Sequence, residues 1–246
     1  MTTLDYSAAG IPVREDLRQA QAEHWAHLAS PGTWWSGAER VGIAAESRQA
    51  LVCELCSVRK TALSPASVPG EHDSLEGLPL NTVEVIHRIR TDPARLSRRW
   101  FQGVQASGLA VGAYVELVGI VTMLTGLDAF ARALGIPPFP LPEPRPGEPS
   151  RYTPEGTREG TAWVPMLAPE DAAGPESELY EGEPFVPNIM RALSLVPDEV
   201  RALRRLSHAH YVPKGKLQDA SYGRDLDRVQ MELVAARVSA LNECFY

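Results

Sequence analysis

The stretch Gly108-Leu109-Ala110-Val111-Gly112-Ala113-Tyr114-Val115-Glu116-Leu117-Val118-Gly119-Ile120-Val121-Thr122-Met123-Leu124-Thr125-Gly126-Leu127 decides the fold. It approaches the length of a membrane span, about 20 apolar residues. It also carries Glu116 near its centre and four glycines, Gly108, Gly112, Gly119 and Gly126. A carboxylate in the middle of a bilayer is costly, so the run reads as a helix buried in a protein core. The helix is expected from Tyr114 to Leu134, ended by Gly135 and the prolines that follow. Glu116 is then a catalytic acid or the partner of an arginine such as Arg88 or Arg132, and pairing is the reading taken.

Outward from this core, other helices announce themselves by their ends. Ser36-Gly37-Ala38-Glu39 is a capping-box pattern, and no proline interrupts Arg40 to Leu63, so one long helix is expected until Ser64-Pro65. Asn81-Thr82-Val83-Glu84 opens another to about Arg90, and Asp92-Pro93 opens one that Gly108 closes. Asn188 to Leu195, Pro197 to His210 and Leu226 to Asn242 complete the set, with Asp225 as the N-cap of the last. No segment alternates as a strand does, so the fold class is all-α, a helical bundle.

Between Pro137 and Pro187 lie 13 of the 21 prolines, too many for a helix or a central strand. Phe139, Tyr152, Trp163, Met166, Tyr180 and Phe185 make this linker too apolar for a free tether, so it is expected to lie extended on the helical body. Three parts result: an N-terminal helical unit 1–136, the linker 137–187, and a second helical unit 188–246. Glu39-Arg40-Val41 leads to Cys53 and Asp227-Arg228-Val229 leads to Cys244, a weak internal echo with a three-residue gap.

Composition narrows function. The chain has 246 residues, 44% hydrophobic and 22% charged, with a formal charge of −7. That balance opposes nucleic-acid binding, which needs concentrated basic surface. Arg201, Arg204 and Arg205 read as a solvated helix face behind Asp198 and Glu199. Three cysteines do not make a disulfide framework, and the charged segment Arg14 to His24 is no signal peptide. A reducing, cytoplasmic setting without a membrane partner is expected.

Two places could carry chemistry. Cys53-Glu54-Leu55-Cys56 has a redox spacing, Arg59 and Lys60 follow one turn later, and Glu46, seven residues before Cys53, would share its helix face. Within a regular helix the two β-carbons stand about 5–6 Å apart, wider than the roughly 3.5–4.5 Å of a disulfide, so a helix start or kink is required there. Two small thiols buried as hydrophobes are the alternative. Cys53, Cys56, His72 and His87 together offer sulfur and nitrogen to a metal. Their spacings of 16 and 15 residues match no compact zinc module, so no metal and no other cofactor is expected. His24 with His27 and His208 with His210 read as surface pairs. Trp34-Trp35 and Trp100-Phe101 read as core or subunit contact.

The second place is Glu232 followed by Arg237-Val238-Ser239-Ala240-Leu241-Asn242-Glu243-Cys244-Phe245-Tyr246. This pattern resembles the AhpD-like alkylhydroperoxidase and carboxymuconolactone decarboxylase superfamily, in a branch that includes selenoproteins. The resemblance extends to Leu193-Ser194-Leu195-Val196-Pro197 and to Val83 through Gly135. It implies an all-helical thiol or selenol peroxidase. One thiolate would attack a hydroperoxide, a second would resolve the sulfenic acid as a disulfide, and an external thioredoxin-like or lipoyl-type dithiol would reduce it. It assigns Glu232 and Cys244 to the site, with the nucleophile expected immediately after Tyr246 as cysteine or selenocysteine, so that the second unit is expected to be truncated. In the same comparison Lys60 stands where Cys53-x-x-Cys56 would need its histidine. A cysteine-independent decarboxylase of that fold and a non-enzymatic helical assembly protein are the alternatives. The apolar residues Leu233, Val238 and Leu241 point to a homo-oligomer.

Overall fold

A computed structural model describes residues 4–181, 186–213, 215–216, 218–242 and 244. Phe185 of the linker and Glu243, Phe245 and Tyr246 of the terminal pattern lie outside the described residues. The fold is all-α. The described helices are α1 Glu15–Ala29, α2 Gly37–Gln49, α3 Glu54–Thr61, α4 Leu80–Thr91, α5 Arg98–Ala106, α6 Val111–Ala133, α7 Asn188–Arg191, α8 Pro197–His210 and α9 Arg228–Leu241. Pairing of strand type among the described residues is confined to one isolated bridge, Arg158 with Met166.

α6 is the central pillar, in contact with α2, α4 and α8. Of the described helices it is long and apolar enough to cross a membrane, and 67% of that apolar window is buried inside the protein. Its glycines are points of close approach. A β-carbon at Gly112 would overlap the Trp34 indole, and one at Gly119 would stand 2.6 Å from Glu199 Oε2. Leu117, Ile120, Leu124 and Leu127 join Trp25 and Leu28 of α1, Ile43 of α2, Ile86 of α4 and Leu206 of α8 in the main core. Val115 reaches a second cluster with Val164, Leu167, Leu179 and Tyr180 of the proline-rich segment and Val200 of α8. The Trp25 indole donates to Pro140 O at 2.9 Å, which fixes that segment against α1.

Several boundaries differ from the sequence reading. The long helix expected from Arg40 to Leu63 is two. The Ser36/Glu39 capping box does open α2, but α2 stops at Gln49 and Cys53 becomes the extended N-cap of α3. Nothing local forces the break. Asp73 Oδ2 accepts from the Glu54 N–H at 2.7 Å, so the first turn of α3 is capped by a residue remote in sequence. α4 starts behind Pro79, and Asn81 contacts the Thr82 N–H and Ser107 instead of closing a box with Glu84. The helix expected after Asp92-Pro93 is a 3-10 turn, Pro93–Arg95, followed by α5 with Ser97 as its cap. Gly108, with φ of +91°, ends that region as expected. α7 stops at Arg191, short of Leu195. α9 is capped by Asp227, not Asp225, in a capping box with Gln230.

Candidate functional site

The break after α2 turns Cys53 inward, and Cys56 follows in the first turn of α3. The Cys53 and Cys56 residues are 2% and 4% exposed. The segment between α3 and α4 brings His72 over them. His72 Nδ1 lies 3.5 Å from Cys53 Sγ and 3.5 Å from Cys56 Sγ. From α4, His87 presents its own Nδ1 at 3.2 Å from Cys56 Sγ. The two sulfurs and two imidazole nitrogens all lie within 4.8 Å of one another, so these four residues could hold a metal ion.

Both rings are gripped on their far sides. His87 Nε2 donates to Glu46 Oε1 at 2.7 Å, and the other oxygen of Glu46 accepts from the Leu75 N–H at 3.0 Å. His72 Nε2 donates to Glu84 Oε2 at 2.8 Å, and Arg59 reaches the same oxygen at 2.8 Å. A carboxylate can only accept, so each ring holds a proton on Nε2 and turns Nδ1 to the sulfurs. Glu84 also lines a surface cleft of about 390 Å3 with Trp100 and Val104.

Burial drives the protonation states apart. For His72, burial lowers the pKa, but hydrogen bonds with Cys56, Glu84 and Cys53 outweigh it and push the value up to about 10. Burial dominates at His87, which is held below the ordinary imidazole value. Burial raises Cys53, yet hydrogen bonds from the Cys56 backbone and the His72 ring bring it below the usual thiol value. Glu84 is opposed by burial and held at about 2 by His72 and Arg59.

Of the residues singled out from sequence, Cys53, Cys56 and Glu46 come together, but Glu46 acts through His87 rather than along one helix face. His72 and His87, set aside for their spacing, complete the cluster. Glu232 and Cys244 are elsewhere: Glu232 accepts from Tyr211 at 2.6 Å and pairs with Arg228, and Cys244 is exposed beyond α9. Leu233, Val238 and Leu241 are exposed on α9.

A second polar cluster sits at the centre of the bundle. Arg40 of α2, 1% exposed, pairs with Glu116 of α6 and, at 2.9 Å, with Glu199 of α8. His27 of α1 meets Glu199 at 2.8 Å, and the Trp34 N–H donates to Glu116 at 2.6 Å. So Glu116 is paired, with Arg40 rather than Arg88 or Arg132. Burial raises Glu199, but Arg40 and His27 hold it at about 2, whereas burial prevails at Glu116 and raises it. His24, expected at the surface, is buried, and burial lowers it to about 3. His210 is exposed, as expected, with its Nε2 3.1 Å from the Gln21 side-chain nitrogen.

In comparisons with protein-family models, curated proteins and solved structures, the chain matches none of them.

Proposed function

We propose that the chain is a thiol-dependent oxidoreductase of alkylhydroperoxidase type, with Cys53 and Cys56 as its dithiol. The observation that carries this reading is the helix start. With Cys53 as N-cap and Cys56 in the first turn, the geometric obstacle to a disulfide in mid-helix falls away, and the helix N-terminus favours a thiolate. In the proposed cycle a Cys53 thiolate attacks the outer oxygen of ROOH. The O–O bond breaks, Cys53 becomes a sulfenic acid, and the departing alkoxide takes a proton to leave as ROH. Cys56 then attacks the sulfenic sulfur, water leaves and a disulfide forms, so that ROOH and two thiols give ROH, water and one disulfide. His72, 3.5 Å from both sulfurs, is placed to move the protons. A thioredoxin-like or lipoyl-type dithiol restores the thiols. The exposed apolar residues of α9 support self-association as part of the same proposal.

A second reading rests on burial: two thiols exposed by 2% and 4% suit a structural cluster in a non-enzymatic helical protein. One experiment separates them. Reduced, chelator-treated protein is mixed with an organic hydroperoxide, peroxide loss is followed, and the protein is mapped by mass spectrometry. The expected result is one peroxide consumed per chain and a Cys53–Cys56 disulfide, turnover on adding dihydrolipoamide, and loss of both in Cys53→Ser. Unchanged peroxide with both thiols still free rejects the oxidoreductase.

A further inference from the structure

We infer that Cys53, Cys56, His72 and His87 form a closed tetrahedral Zn2+ site in the reduced protein. This goes beyond the oxidoreductase reading and does not rest on it, since ligation needs reduced thiols but no turnover.

Distances argue first. Zn–S bonds of about 2.3 Å and Zn–N bonds of about 2.0–2.1 Å, at tetrahedral angles, place sulfur and nitrogen roughly 3.5 Å apart. The cluster shows S···N separations of 3.5, 3.5 and 3.2 Å, with all four donor atoms within 4.8 Å. Thiols packed merely as hydrophobes do not need two imidazoles turned nitrogen-first towards them.

The far sides of the rings argue next. A metal-bound histidine usually donates its other N–H to a carboxylate or carbonyl, which fixes the tautomer and the ring plane. Here both do: His87 to Glu46 and His72 to Glu84, at 2.7 and 2.8 Å. Glu46 and Glu84 are held in turn by the Leu75 N–H and by Arg59. Such doubly supported imidazoles are a costly arrangement to bury for packing alone, since every polar group must find a partner.

Donor chemistry selects the ion. Two thiolates and two neutral imidazoles suit zinc and oppose the hard cations magnesium and calcium, which take oxygen ligands. A two-iron cluster with cysteines on one iron and histidines on the other is excluded by distance, because His72 Nδ1 touches both sulfurs and the donors converge on a single point. Four protein donors fill the tetrahedron, and open vertices mark catalytic zinc, so this ion is structural, and Cys53 can attack a peroxide only after the ion has left. It ties the start of α3, the largely irregular segment carrying His72 and the middle of α4 into one unit.

The test uses the whole chain. Protein purified under reducing conditions is assayed for metals by plasma mass spectrometry, then stripped and titrated with Co2+. The expected result is about one zinc per chain, and a cobalt spectrum with a thiolate-to-metal charge-transfer band and the intense d–d bands of tetrahedral geometry. Glu84→Gln, which keeps all four ligands, should weaken cobalt affinity about 10–100-fold. Cys56→Ser should lose the charge-transfer intensity of one thiolate. If Cys56→Ser fails to fold, release of zinc from wild-type protein by a thiol-blocking mercurial, read with a metallochromic dye, replaces it. Substoichiometric zinc together with no charge-transfer band on Co2+ titration overturns the proposal, as does iron in place of zinc. None of these readouts is an activity. Zinc-loaded protein whose stripped form ignores peroxide would reject the oxidoreductase and keep the metal site, and peroxide turnover by protein that binds no metal would do the reverse.

Discussion

Replacing Arg40 by methionine isolates the charge cluster on which the bundle closes. Arg40 holds Glu116 and Glu199, both fully buried. Removing one partner of a buried ion pair typically costs about 3–5 kcal/mol, because the remaining charge is stranded. The lowering of the Glu199 pKa from 4.5 to about 2, to which Arg40 contributes most and His27 next, is of the same order, about 3 kcal/mol at about 1.4 kcal/mol per tenfold. In the wild type this contribution is fully present above pH 4.5 and lost as pH falls towards 2. In Arg40→Met the sign reverses. Burial, no longer opposed by the guanidinium, lifts Glu199 above its unfolded value and Glu116, already raised, further still, so the variant loses stability on ionising them as pH rises. Urea unfolding monitored by circular dichroism should therefore show a deficit of about 3–5 kcal/mol at pH 7 that narrows towards pH 4. A deficit below about 1 kcal/mol, or one that is flat with pH, would refute the assignment of Arg40 as the charge that holds α2, α6 and α8 together.

Other changes test the same interior. His24 has both ring nitrogens buried without a hydrogen-bond partner and a pKa lowered to about 3, so the unfolded chain takes up its proton first and the fold loses stability as pH drops from 6.5 towards 3. His24→Leu should match wild type at pH 8 and exceed it by about 2 kcal/mol at pH 5 in the same urea assay; equal pH dependence in both proteins counts against a neutral buried His24. Along α6, Gly126→Ala meets nothing within 4 Å and should stabilise the fold by about 1 kcal/mol through helix propensity, read as a higher melting temperature, whereas Gly119→Ala drives a β-carbon onto Glu199 and should lower it. Equal shifts from the two substitutions would show that Glu199 is free to move aside.

The sequence exposes what is local and hides what is assembled. α6, α8 and the capping box of α2 are legible because spacing and end signals sit within a few residues of each other. The break before Cys53 is not, since the residues after Gln49 hold no glycine or proline and the cap on α3 comes from Asp73. The same distance concealed the cluster. His72 and His87 stand 16 and 31 residues beyond Cys56, outside the spacings of compact zinc modules, and only the fold of the segment between α3 and α4 makes them neighbours. Glu46 was legible as a companion of Cys53, but its link through His87 depends on how α4 lies against α2. His24 looked exposed because its burial depends on α8, more than 170 residues later.

That late partner has a consequence for synthesis on the ribosome. α8 docks on α1 and α6, with His27 reaching Glu199 and Arg14 reaching Ala209 O at 2.7 Å. About 77 residues separate the end of α6 from the end of α8. At roughly 5–20 residues per second, the nascent chain spends about 4–15 s with α1 and α6 made but their shared groove uncovered. During that interval Arg40 can meet Glu116 but not Glu199. The emerging half-bundle thus keeps that apolar groove open to water until α8 arrives to seal it.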